Sequence, residues 1–127
     1  DDRNYDTSVA AYLLFNPALG MADAKDYEVY FLEHLSLDFP PAIVFFGSKD
    51  EKWLKGWNSA YTKMQSLDIR SVEFWIAEGQ EHSFFNKQPW QDMTIRASDE
   101  FLKSLGLIQG EPTLALPQTG EKLTKNL

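Results

Sequence analysis

Two residues of this chain have side chains and settings suited to proton transfer. Asp50 closes the segment Pro41-Ala42-Ile43-Val44-Phe45-Phe46-Gly47-Ser48-Lys49-Asp50. His82 lies in Val72-Glu73-Phe74-Trp75-Ile76-Ala77-Glu78-Gly79-Gln80-Glu81-His82-Ser83-Phe84-Phe85. Each follows a short apolar stretch that reads as a buried strand. In open α/β sheets, chemistry gathers in the crevice outside the carboxyl ends of the strands, which is where both residues would stand. An acid and a histidine so placed normally serve a nucleophile, and no nucleophile motif accompanies them in these 127 residues.

The elements that must position the pair follow from apolar patterning. Val9 to Phe15 is a continuous apolar run of the kind found in strands covered on both faces. Asn16-Pro17 ends it. Residues 18–40 read as an irregular excursion with one short helix over Tyr27 to Leu35, and Pro40-Pro41 returns the chain to extended geometry. Ala42 to Phe46 is the second strand. A helix over Glu51 to Leu67 follows, with Trp53, Trp57, Ala60, Tyr61 and Met64 on one face. Ser71 to Ala77 is the third strand, whose partial alternation places it near a sheet edge. A second helix spans Pro89 to Leu105, with Ile95, Phe101, Leu102 and Leu105 as its stripe and Gly106 as its stop. From Gln109 the chain is polar, without periodicity, and reads as a surface-wrapping or mobile tail.

Strands alternating with helices require parallel pairing through crossovers. The expected fold class is therefore α/β, a parallel three-stranded portion of a sheet with crossover helices, over residues 1–108, with residues 109–127 as a tail. Three strands and two helices make a poor complete domain of this class. The polar, acidic start at Asp1 to Ser8 reads as a break in something longer, and the first strand calls for neighbours the chain does not supply.

Composition removes several functions. Apolar residues are 43% and aromatics 14%, enough for a packed core. The net charge of −7 argues against a nucleic-acid partner, which requires a basic surface. The absence of cysteine removes disulfides, thiol catalysis and thiolate metal sites. No apolar run approaches the roughly 20 residues that span a bilayer. Phosphate loops, dinucleotide fingerprints and His-Glu-x-x-His are absent, and no cofactor is expected.

Taken in order, the motifs resemble the C-terminal part of an α/β-hydrolase, in the esterase/lipase branch that includes carbohydrate acetylesterases. Leu14-Phe15-Asn16-Pro17-Ala18-Leu19 resembles the end of that fold's sixth strand. Pro40-Pro41 through Gly47-x-x-Asp50 resembles the seventh strand and its acid turn. Glu78-Gly79-x-x-His82-x-Phe84-Phe85-Asn86 resembles the histidine loop after the eighth, and Phe101-Leu102-x-Ser104-Leu105-Gly106 the closing helix. The match runs from residue 9 to about 113. It implies Ser-His-Asp catalysis, with His82 as base and later acid, and Asp50 holding the imidazole. The family's chain order is nucleophile, acid, histidine. The last two are here. The Gly-x-Ser-x-Gly elbow is not: Gly106 and Gly110 have its spacing but enclose Ile108.

The resemblance therefore implies a serine ester hydrolase whose serine is on a missing N-terminal portion or a partner chain, and whose substrate is a small-molecule or carbohydrate ester. A second copy of the chain is another way to cover the first strand. Alone, the chain is expected to be inactive. The competing reading is a non-catalytic binding or assembly module that keeps the motifs. Without the family pattern, Asp50 reads as a helix-start residue and His82 as a loop histidine with a structural hydrogen bond. Trp53 and Phe84 are the substrate-binding candidates. Trp57 and Trp90 are further possible cleft residues, with helix-face packing favoured for Trp57. His34 reads as surface or packing. Glu78 and Glu81 beside one histidine make a poor metal set. Leu116-Pro117-Gln118-Thr119-Gly120 matches a sortase pattern, but no apolar segment follows it.

Overall fold

The computed structural model describes residues 6–19 and 31–126. Its centre is β2 (Ala42–Gly47), every residue of which is buried. Successive strand side chains point to opposite faces, and β2 serves a core on each. Ala42, Val44 and Phe46 pack with Trp57, Ala60 and Met64 of helix α1 (Glu51–Ser66). Ile43 and Phe45 pack with Trp90 and Phe101 of helix α2 (Trp90–Ser104). A strand covered on both faces must be apolar throughout, which explains the Ala-Ile-Val-Phe-Phe run.

Strand β1 (Tyr12–Phe15) pairs in parallel with β2, Tyr12 opposite Ala42 and Phe15 opposite Phe45. Strand β3 (Val72–Ala77) pairs in parallel on the other side, Ala42 opposite Val72 and Gly47 opposite Ala77. The class is mixed α/β with mostly parallel strands. A fourth strand, β4 (Leu123–Asn126), pairs antiparallel with β3, giving the order β1-β2-β3-β4. So β3 is an interior strand, where its alternation had pointed to an edge, and part of the polar tail is sheet. The segment Leu-Thr-Lys-Asn carries little apolar pattern of its own; the free backbone groups of β3 supply the template. Lys125 adds an ion pair with Glu73 at 3.1 Å and lies over the Trp75 ring. Between α2 and β4, Arg96 Nη1 donates to the Leu114 carbonyl at 2.6 Å, and Lys103 pairs with Glu111.

Both helices end in the same way. After α1, Asp68 adopts a left-handed conformation (φ 61°) and Ile69 N–H donates to the Met64 carbonyl. After α2, Gly106 (φ 72°) does the same, with Leu107 N–H donating to Leu102. These are Schellman caps, and Gly106 is the expected stop. The buried stripe of α2 differs from expectation in part: Phe101 is buried and Leu102 packs beside it as expected, but Trp90, Thr94 and Ser98 complete the stripe, while Ile95 and Leu105 are exposed. Thr94 and Ser98 donate to carbonyls of their own helix, so burial leaves neither hydroxyl unpaired. Of the expected helix over Tyr27 to Leu35, residues before Phe31 lie outside the described residues, and Phe31–His34 form one 3-10 turn.

Candidate functional site

The loops after β2 and β3 meet at the carboxyl end of the sheet. Gly47 ends β2 against the second loop: a Cβ there would run into the backbone carbonyl of Gln80. Glycine is what lets the two loops touch. They are then joined by Ser48 N–H donating to the Ala77 carbonyl at 3.0 Å and Lys49 N–H to Gln80 at 2.9 Å. The Ser48 hydroxyl accepts from Gly79 N–H at 2.8 Å and donates to Glu78 Oε1 at 3.1 Å. Gly79 turns the chain at φ 74°.

Asp50 stands just before α1, the position where an aspartate ordinarily caps a helix. Its carboxylate makes no such cap. It is 7% exposed and faces the second loop instead. Asp50 Oδ2 and His82 Nδ1 are 2.8 Å apart, a full hydrogen bond. The His82 side chain is 51% exposed. The loop that carries it is pinned immediately afterwards: Ser83 takes φ 63°, and Phe84 is 3% exposed, packed edge-on against Phe85 and Trp90. Phe84 and Trp90 therefore serve core packing in the described structure. Phe85 in turn rests on Phe15 at 4.9 Å between ring centres.

Trp53, in the first turn of α1, is half-buried with its ring centre 6.4 Å from that of His82. Lys52 Nζ lies 4.5 Å above the same indole. Trp57 is fully buried among Phe46, Tyr61 and Phe74, and His34 is exposed on its 3-10 turn. Among the described residues no group of three or more His, Cys, Asp or Glu is placed to hold a metal. No helix among them is long and apolar enough to cross a membrane.

One residue of the cluster was read from sequence as a strand terminator, within the motif resembling the end of a family strand, and was given no part in the site. Asn16, at the end of β1, donates from Nδ2 to Asp50 Oδ2 at 2.6 Å and is buried. Its signal was positional: a polar residue directly after an apolar strand, at the same sheet end as Asp50 and His82.

The sequence matches no protein-family model, and no curated protein matches it. Solved structures of esterase 2 from Thermogutta terrifontis do resemble it. The propionate-bound form aligns with a TM-score of 0.73 and 24% identity over 88% of this chain and 48% of that chain. The form phosphorylated by paraoxon gives 0.70 and 25% over 80% and 42%. The native form gives 0.64 and 26% over 88% and 45%. This chain thus has a hydrolase-like α/β fold similar to that of an esterase, and it spans less than half of that esterase's length.

Proposed function

We propose that the chain is the C-terminal portion of a serine ester hydrolase, in which Asp50 and His82 are the acid and base of a Ser-His-Asp triad. The observation that carries this reading is the 2.8 Å contact between Asp50 Oδ2 and His82 Nδ1. It joins loops at the carboxyl ends of two adjacent parallel strands. The chain order, acid before histidine, supports it, as does the esterase-like fold.

The chemistry follows from which ring nitrogen is engaged. With Nδ1–H donating to Asp50, Nε2 carries the lone pair. It takes the serine proton as the oxygen attacks the ester carbonyl. The imidazolium so formed is stabilised by the Asp50 carboxylate, which keeps its own charge. Nε2–H then protonates the departing alkoxide; when the acyl-enzyme is hydrolysed, the same nitrogen takes a proton from the attacking water and returns it to the serine oxygen as the acid leaves. The serine and the oxyanion-hole donors belong to polypeptide outside these 127 residues, on an N-terminal portion or a partner chain. We assign a small-molecule or carbohydrate ester as substrate, with a short acyl group; the Thermogutta esterase has propionate-bound and butyrate-bound forms. Trp53, beside His82, would border the substrate.

The test is the genomic sequence upstream of the Asp1 codon. A continuous reading frame encoding Gly-x-Ser-x-Gly after a strand pattern is expected. A start codon adjacent to Asp1, with no separate gene supplying such an elbow, would leave the non-catalytic module as the better account.

A further inference from the structure

The geometry points to Asn16 as the positioning residue of the proposed triad, an amide that locks the Asp50 carboxylate in the orientation His82 requires. This rests on the assignment of Asp50 and His82 made above. Asn16 is buried at 4% exposure, and its backbone is held at φ 46°. That conformation is disfavoured for residues with a Cβ, though asparagine tolerates it better than most. Asn16 N–H donates to the Phe45 carbonyl at 2.8 Å, so the turn out of β1 is anchored to β2, the strand that delivers Asp50. The side chain spans from one strand end to the next loop and places Nδ2 2.6 Å from Asp50 Oδ2.

Two features separate this contact from ordinary packing. First, Asn16 Nδ2 and His82 Nδ1 converge on the same carboxylate oxygen, at 2.6 and 2.8 Å. Two donors on one oxygen hold the carboxylate in place against Nδ1, and that acceptor selects the ring tautomer with its proton on Nδ1 and its lone pair on Nε2. Second, Asn16 Oδ1 is buried without a hydrogen-bond partner among the described residues. Buried polar atoms are ordinarily paired, and an unpaired one is costly. The amide cannot be turned to relieve it, because Oδ1 would then face the Asp50 carboxylate. The residue thus keeps a left-handed backbone while aiming one N–H at Asp50. Strain of this kind persists where the surrounding structure over-determines it, and it clusters at functional sites. A neutral donor suits this position. A lysine or arginine there would compete with the imidazolium for the same carboxylate, whereas an amide orients it without adding charge.

The test is 15N NMR of the His82 imidazole in the whole chain at mildly alkaline pH, with thermal melts in parallel. Asn16→Gly accepts φ 46° without strain and deletes only the amide. Asn16→Asp keeps the shape but sets an acceptor against Asp50. The wild type is expected to show the Nδ1–H tautomer with a slowly exchanging proton, and Asp50→Asn to lose it. Asn16→Gly and Asn16→Asp are expected to lose that slow proton and shift the ring toward the Nε2–H tautomer, with the Asn16→Gly melt close to wild type. If Asn16→Gly melts like wild type and keeps the Nδ1–H signal, Asn16 is a turn residue and the inference is overturned. If Asn16→Gly unfolds, the Asn16→Asp spectrum decides in the same way. A wild type without the Nδ1–H signal, indistinguishable from Asp50→Asn, would overturn the Asp50–His82 pair and the inference together.

Discussion

At the scale of single residues, the site depends on how closely two backbone loops can approach. Gly47 has the Gln80 carbonyl where its Cβ would be, and Gln80 lies two residues before His82. Gly47→Ala must therefore push the histidine loop away from the acid loop. Overpacking of this kind costs about 1–3 kcal/mol, to be read from urea unfolding of the variant beside wild type. An unchanged midpoint would mean the loops are not in contact as described. The approach of Asp50 and His82 was legible in the sequence because strand, turn and residue type coincide at each. The helix-start reading of Asp50 was right about its place and silent about its carboxylate, which faces across the sheet rather than along the helix. Asn16 was not legible. The role proposed for it depends on a contact with a residue remote in sequence, which its position after a strand does not reveal.

At the scale of elements, the helix–sheet interface is set by α1 on β2 and β3. Trp57 is its largest buried side chain, stacked near Phe46 and Tyr61 and edge-on to Phe74. Its indole N–H has no hydrogen-bond partner among the described residues. Trp57→Ala leaves a large cavity and should cost about 3–5 kcal/mol. Trp57→Phe leaves a smaller one but also removes a buried donor that has no partner among the described residues, a relief of about 1–3 kcal/mol. It should therefore fall within about 1.5 kcal/mol of wild type, given the opposing terms. Chemical denaturation of both variants checks this, and a Phe variant as unstable as the Ala variant would contradict it. The helices and parallel strands could be read in advance because their apolar periods are distinct. Strand β4 could not, because Leu-Thr-Lys-Asn has no strand pattern and is organised by the edge it joins. The α2 stripe was misread in part for a related reason. Thr94 and Ser98 look polar in sequence, yet their hydroxyls bond within the helix and let it lie close to the sheet.

At the scale of the whole molecule, the two edges of the sheet differ: β4 is a short, mostly polar edge strand, and β1 is an apolar one. β4 covers β3, whereas β1 has a single neighbour among the described residues, with Leu13 39% exposed and Val9 exposed just before it. An uncovered apolar edge invites pairing, and the chain matches less than half of the esterase whose fold it resembles. The isolated chain should therefore self-associate in sedimentation velocity; a well-folded monomer with a cooperative melt would mean that this portion suffices by itself. The central claim, that Asp50 and His82 are the acid and base of an ester hydrolase, is tested most directly by kinetics. The protein to measure is the polypeptide or complex that joins this chain to the proposed serine-bearing portion, with a short-chain aryl ester as substrate. His82→Ala should lower kcat by roughly 10⁶-fold and Asp50→Asn by roughly 10⁴-fold, both at nearly unchanged KM, as expected when a triad member is removed while binding contacts remain. Losses of less than about tenfold in both variants, in protein that folds as wild type, would contradict the assignment.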